Sequence, residues 1–388
     1  MTNTTTIDRL LQDATASGKV PGVAAMAVGP NGTLYEGAFG LRGVDKPDPM
    51  QLDTVFWIAS MTKAITAAAG MQMVEQGKLS LDAPAAEIVP ELANKQVLEG
   101  FAPDGTPILR PARGKITLRH LMTHTAGFGY NTWNPLLARY YTDNNLPAAG
   151  LGKLSSLNAP LIFDPGTRWQ YGINIDWIGR MVEAVSGKDL NTYMQDHIFT
   201  PLGMPDSGFR LKPGIKERLV TRHQRHPDGT LTPMEYMTNQ NPEFWPGGGG
   251  LYSTVPDYMR FLRALLAGGT LDGNRILRPE TVAMMGQNQM GDIRVEMLHT
   301  QLPAMSNDAE LFPGVPKGWG LSFLINLEKT QTGRSANSLA WAGLANTYQW
   351  LDPTRGTAGV LMTQILPFAD PVVLSLLDGF ESAVNDIG

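Results

Sequence analysis

No cysteine occurs among the 388 residues of the chain. That excludes disulfides, a thiolate nucleophile and any cysteine-built metal site. Charge is also sparse. Asp, Glu, Lys and Arg make up 17% of the residues and the net charge is −5, a balance that argues against a nucleic-acid or anionic-membrane surface. No apolar run approaches the length needed to cross a bilayer. The first residues, Met1 to Leu11, carry neither a basic start nor an apolar stretch of the secretory kind, so a cytoplasmic protein is expected. Gly-x-Ser-x-Gly, the nucleophile elbow of α/β-hydrolases, is missing. Gly247 to Gly250 precedes no Lys-Ser or Lys-Thr, which argues for a close backbone turn over a phosphate loop. None of the six histidines forms a His-Glu-x-x-His pattern, and no metal or organic cofactor is expected.

What remains is an ordinary globular composition, 43% hydrophobic, in a chain too long for one simple core. Ile7 to Ala16 has the spacing of a short amphipathic helix. Gly22 to Gly29 is an apolar run of strand length, Pro30-Asn31-Gly32 is a turn signal, and Thr33 to Phe39 completes a predicted hairpin. Near the other end, Trp319 to Leu327, Tyr348 to Leu351 and Thr357 to Leu366 read as strands, and a final helix starts at Asp370-Pro371. The middle reads as helices over Met61–Gln76, Thr117–His124, Ile175–Ser186 and Leu190–Ile198, with long loops over Glu99–Arg113 and Tyr130–Gly152. Strands at both ends and helices between them predict a discontinuous domain, residues 1–65 and 230–388, sharing one sheet. Residues 66–229 are then an inserted, mainly helical domain, and the cleft between the two is the expected ligand site.

Three segments carry chemistry. Ser60-Met61-Thr62-Lys63 sets a hydroxyl three residues before an amine. On a helix, positions i and i+3 share a face, so the amine can take the proton that makes serine a nucleophile. Apolar neighbours and the positive end of a helix dipole disfavour an ammonium at Lys63 and favour an oxyanion formed at Ser60. The same tetrapeptide also fits a helix start capped by Ser60. Tyr171, in Pro165-Gly-Thr-Arg-Trp-Gln-Tyr171-Gly, stands at a loop–helix junction. Its phenol serves as a base if a cation such as Lys63 stabilises the phenolate, and otherwise simply packs in the cleft. Trp341-Ala342-Gly343-Leu344 has small residues that let a substrate lie against a strand, or that merely mark a glycine bulge. Phe128, Tyr130, Trp133, Phe244 and Trp245 are candidates for an acyl pocket or for core.

Taken in this order, these segments resemble the serine β-lactamase and penicillin-recognising fold, and more narrowly the family VIII carboxylesterases, a class C β-lactamase-like group. His120-Leu-Met-Thr-His124-Thr-Ala-Gly127, Leu202-Gly-Met204 and Gly248-Gly-Gly-Leu-Tyr-Ser-Thr254 extend the resemblance over nearly the whole chain. It implies an α+β, two-domain fold, an antiparallel sheet flanked by helices with a helical insertion. It also implies Ser60 as nucleophile, Lys63 as its base partner and Tyr171 as general base. The backbone N–H groups of Ser60 and Leu344 would form the oxyanion hole, and Trp341, Ala342, Gly343 and Phe128 would contact substrate.

Two departures refine the expectation. Trp341 stands where β-lactamases place the Lys of Lys-Thr-Gly, which holds a substrate carboxylate. An indole makes no ion pair but offers a large apolar face, so uncharged acyl esters are favoured over anionic lactams. The lactamase Tyr-x-Asn is Tyr171-Gly172-Ile173 here, with Asn174 one position late, and the amide's role is not carried over. The expected activity is therefore hydrolysis of short-chain acyl esters, small molecules, through an acyl-enzyme on Ser60. The rivals are a class C-type β-lactamase or D-amino-acid peptidase, an acyltransferase of the same fold, and a non-catalytic penicillin-binding-like module.

Overall fold

The computed structural model describes residues 3–387. Its centre is an eight-stranded antiparallel sheet made from the two ends of the chain. In chain order the strands are β1 (Gly22–Gly29), β2 (Gly32–Gly43), β3 (Lys46–Pro49), β4 (Lys317–Trp319), β5 (Leu324–Asn326), β6 (Ser338–Gly343), β7 (Thr347–Asp352) and β8 (Thr357–Met362). They are arranged in space as β4-β5-β6-β7-β8-β1-β2-β3. Pairing of Ala24 with Met362 and of Val28 with Ala358 joins the N-terminal strands to the C-terminal ones.

Strand residues alternate between two cores because successive side chains point to opposite faces. Val23, Ala25 and Ala27 face a cluster with Ile7, Leu11, Trp350, Val373 and Phe380. Ala24, Val360 and Met362 face the other, with Phe261 and Leu262. Helices α1 (Asn3–Ala16) and, at the C-terminus, Pro371–Ile387 cover the first face, and Val255–Leu266 covers the second. Burial on both faces explains why these strands read as continuous apolar runs. Gly359, opposite Trp350, is required there, since a Cβ would run into the indole.

Between the sheet segments lies the helical part of the chain. Helix Thr62–Glu75 is buried from Thr62 to Met73, as expected of a helix surrounded by protein. It packs against helix Asn174–Ser186, where Gly70 admits Ile178 and Met122.

Several elements differ from the sequence expectation. Glu99–Arg113 is mostly a hairpin, Gln96–Phe101 paired with Pro107–Pro111, turned at Asp104-Gly105 where Asp104 accepts the Thr106 N–H. Tyr130–Gly152 contains a helix, Pro135–Asp143, whose N-cap Asn134 accepts the Leu137 N–H. The Thr117 helix is a single short turn, Leu118–Met122. Trp319–Leu327 breaks at Gly320 and Ser322, the latter at φ 76°, into the β4–β5 hairpin. Thr357–Leu366 divides into β8 and a two-residue strand that joins Arg222–Arg225 in a small separate sheet. The segment after Leu190 is α-helical to Met194 and then widens into a π turn over Gln195–Phe199. No helix of the described residues is long and apolar enough to cross a membrane.

Candidate active site

Ser60 lies in a 3₁₀ turn, Ala59–Met61, that runs straight into helix Thr62–Glu75. Ala59 sits at φ 44°, a left-handed conformation that costs a residue with a Cβ. The surroundings hold it there. Strand pairing of Phe56 and Trp57 with Ser253 and Tyr252 fixes the approach. The Gln364 side chain accepts the Trp57 N–H at 2.8 Å and donates to its carbonyl at 3.2 Å. Gly343, at the end of β6, is pressed against the Ile58 carbonyl so closely that no Cβ would fit. Leu344 follows and lines the same cavity as Ser60. The turn and the strand end that sequence alone singled out are therefore neighbours.

Lys63 has no exposed surface. Its Nζ donates to Ser60 Oγ at 3.1 Å, to the Tyr130 hydroxyl at 3.2 Å and to the Gly248 carbonyl at 2.5 Å. Burial pulls its ammonium down to about 7, against the opposing charge of Asp176. A partly neutral amine within hydrogen-bond reach of a hydroxyl is what proton abstraction needs.

Tyr171 is buried behind this pair. The Trp341 indole N–H donates to its hydroxyl at 3.0 Å, and the two rings lie 4.8 Å apart. Burial pushes the phenol up, while hydrogen bonding with Ser60 and Trp341 acts in the opposite sense. Lys63 Nζ sits over the face of the Tyr171 ring, 4.7 Å from its centroid. The cation thus addresses the ring rather than the oxygen, and a resting phenolate, as the sequence suggested, is not favoured.

Two residues that sequence reasoning did not single out for proton transfer belong to the hydrogen-bond network around Lys63. Tyr130, expected only as a pocket wall, shares Lys63 with Ser60. Asp176, in the first turn of helix Asn174–Ser186, accepts the Gly248 N–H at 2.8 Å. The Gly248 peptide therefore connects Asp176 to Lys63, carboxylate on its N–H and ammonium on its carbonyl. A Cβ at position 248 would stand 2.9 Å from the Asp176 carboxylate, so glycine allows the close approach. The signals were faint: an acidic residue at a helix start, where it complements the dipole, and the glycine run.

Asn174 turns away from the cavity, bonding His124 Nδ1 at 2.9 Å. His124, fully buried, has its ring 4.8 Å from that of Tyr171. Burial and Lys63 together push this imidazole well down, so it stays neutral. Phe128 is also core, stacked on Trp177 at 5.9 Å and absent from the cavity wall. Phe244 and Trp245 likewise lie outside it, as do the expected substrate contacts Trp341, Ala342 and Gly343, whereas Tyr130 and Trp133 line it. The cavity, about 250 Å³, opens on Ser60 between Trp57, Tyr130, Trp133, Asp176 and Leu344.

Comparison with known proteins agrees with this architecture. The chain is 34% identical over 395 residues to monacolin J acid methylbutanoyltransferase of Aspergillus terreus, covering 97% of this chain and 94% of that protein. It is 33% identical to the lovastatin esterase of Penicillium rubens, covering 96% of each. The solved structure of the LovD6 mutant of simvastatin synthase from Aspergillus terreus superimposes with a TM-score of 0.86 at 32% identity, over 99% of this chain and 97% of that one. The β-lactamase family model matches residues 7–377. With its large antiparallel sheet flanked by helices, the chain belongs to the β-lactamase family of serine enzymes.

Proposed function

We propose that the protein transfers a short acyl group from an ester to an alcohol acceptor through an acyl-enzyme on Ser60, with water as a competing acceptor. The observation that carries this reading is the buried Lys63 amine 3.1 Å from Ser60 Oγ. Lys63 takes the hydroxyl proton as Oγ attacks the ester carbonyl. The N–H groups of Ser60 and Leu344 receive the oxyanion. As the ester C–O bond breaks, Lys63 and Tyr171 relay the Ser60 proton to the departing oxygen. The acceptor then enters, and the same groups run in reverse. Trp341, through its N–H on Tyr171, holds the phenol in place for both halves.

Transfer is preferred to plain hydrolysis for two reasons. Similar proteins include methylbutanoyltransferases of Aspergillus terreus and Penicillium citrinum. The aromatic walls at Trp57, Tyr130 and Trp133 suit an acceptor with an apolar body better than they suit bulk water. The carboxylesterase reading, that of the family VIII group, keeps one specific support, the 33% identity to a lovastatin esterase. Trp341 supplies no cation at the position where β-lactamases hold a lactam's carboxylate, which disfavours lactam cleavage in the usual β-lactamase pose.

The test is product partitioning. With 4-nitrophenyl butyrate and rising concentrations of a hydrophobic alcohol, the butyrate ester of that alcohol should increase at the expense of free butyrate. Ser60→Ala should abolish nitrophenol release while leaving the circular dichroism unchanged. Release of butyrate alone at every alcohol concentration would establish the esterase instead. Full turnover in Ser60→Ala would remove both readings.

A further inference from the structure

Arg222 stands on the wall of the same cavity as Ser60. It belongs to the short strand Arg222–Arg225. Its neighbours in sequence are committed: Arg218 pairs with Asp206 and Asp53, and Arg225 pairs with Asp370. Among the described residues Arg222 has no such partner, and its Nε is buried without a hydrogen bond. The guanidinium lies instead on aromatic faces, 3.8 Å from the Tyr236 ring centre and 6.0 Å from that of Trp57.

A half-buried cation without a counter-ion is costly unless something completes it. The carboxylate on the same wall, Asp176, is 1% exposed and already holds Gly248 opposite Lys63. The guanidinium rests over the Tyr236 ring and makes no hydrogen bond among the described residues, and a guanidinium fork suits a planar carboxylate. Arg222 is one positive charge without a second beside it on the cavity wall, which matches a monoanion. Trp57, which it approaches, is three residues from the nucleophile, and its indole N–H is anchored on the Gly249 carbonyl at 2.7 Å. Arg222 and Ser60 thus line one cavity, with Trp57 between them in the packing.

We propose that Arg222 receives a carboxylate carried by the substrate. The cation missing at position 341, where the family resemblance expects one, is thereby supplied from the short strand Arg222–Arg225, and substrates are selected as monoanionic esters or alcohols with an apolar body. This rests on the acyl-transfer reading of Ser60. The carboxylate can belong to the acyl half or to the alcohol half, and the assay separates the two.

Three esters decide it, measured with the full chain: 4-nitrophenyl butyrate, the 4-nitrophenyl monoester of glutaric acid, and 3-(butyryloxy)benzoate. In Arg222→Gln, the ratio of kcat/KM for a carboxylate-bearing ester to that for 4-nitrophenyl butyrate should fall about 10- to 100-fold, mostly through KM, as expected for loss of a charge-assisted hydrogen-bonded pair. Arg222→Lys should recover part of the ratio. The ester that responds identifies the half that carries the anion. A ratio unchanged for both anionic esters overturns the proposal. A readout without turnover separates it from the acyl-transfer reading. Binding of 3-hydroxybenzoate and of glutarate to Ser60→Ala, followed by tryptophan fluorescence, should weaken for one of them when Arg222→Gln is added. Equal affinities with and without Arg222 for both would overturn the assignment even if esters are turned over.

Discussion

The indole N–H of Trp341 donates to the hydroxyl oxygen of Tyr171 at 3.0 Å. A residue that removes the family's cationic anchor thus serves as a hydrogen-bond donor to the phenol beside the nucleophile. Two functions meet in one side chain. Its ring packs against those of Tyr171 and Trp319, with centres 4.8 and 4.7 Å away, and its N–H favours charge on Tyr171, opposing the burial that pushes the phenol up.

Trp341→Phe keeps an aromatic ring and deletes the N–H. The phenol loses a stabilising donor, so the step that needs a proton to leave Tyr171 becomes harder. We expect kcat to fall about tenfold, the value of one buried hydrogen bond to developing charge, with KM for a neutral ester little changed. Steady-state kinetics on 4-nitrophenyl butyrate checks this. An unaltered kcat would show that the hydrogen bond is structural only.

Tyr130 shares Lys63 with Ser60. Tyr130→Phe removes one acceptor and leaves Lys63 with Ser60 and Gly248. The amine is then less firmly aimed, and kcat/KM should fall about 3- to 10-fold with the melting temperature nearly constant. Tyr130 packs against Trp133 and Tyr171, at ring separations of 5.9 and 5.3 Å, and the Phe ring preserves those contacts. A large fall in melting temperature would mean that the hydroxyl acts in folding rather than at Lys63.

Which parts of this site can be read from sequence follows from how each part is built. Ser60 and Lys63 are three residues apart, so helical geometry alone brings them together. Gly22–Gly29 and its partner strand are legible because both faces are buried and the runs are continuous. The hairpin at Gln96–Phe101 escaped because its exposed, charged residues, such as Glu99 paired with Arg110, mask the alternation; Asp104-Gly105 was the available clue. Asn134-Pro135 was a cap-and-first-turn signal for the missed helix. Asp176, Tyr130 and Arg222 are different in kind. Asp176 and Tyr130 meet partners more than 60 positions away, Gly248 and Lys63, Arg222 meets the distant Trp57 as well as the nearby Tyr236, and no local pattern encodes such meetings. Phe128 failed in the opposite direction, its proximity in sequence to Tyr130 suggesting a wall where packing made it core.

Gly343 ties the strand end to the nucleophile turn. A Cβ there would collide with the Ile58 carbonyl and with Thr347 Oγ1, both of them buried. Gly343→Ala must therefore move β6 away from the turn. Overpacking of this kind costs about 1–3 kcal/mol, visible as a lower denaturation midpoint. Because Leu344 moves with β6, kcat should drop by more than the loss of folded protein accounts for. Activity per folded molecule equal to the parent's would argue against an oxyanion role for the Leu344 N–H.

Lys63 sets the sign of the pH dependence, and Asp176, whose own carboxyl burial raises to about 6, tunes its position. Lys63 must be neutral to accept the Ser60 proton, and burial pulls its ammonium down to about 7 while Asp176 works the other way. The rate should therefore rise with pH through about 7. The groups that face Lys63 are Ser60, Tyr130, Tyr171, His124 and Asp176. The two phenols are pushed up by burial and the imidazole is pushed well down, so none of these three changes charge near neutrality. Asp176→Asn keeps an oxygen for the Gly248 N–H and deletes the negative charge. With its opposing partner gone, the ammonium is disfavoured further and the acid limb of kcat/KM moves to lower pH. Asp176→Glu, which restores the charge, should return the limb toward its original position. Movement to higher pH in Asp176→Asn, or none at all, would mean that a group other than Lys63 governs that limb.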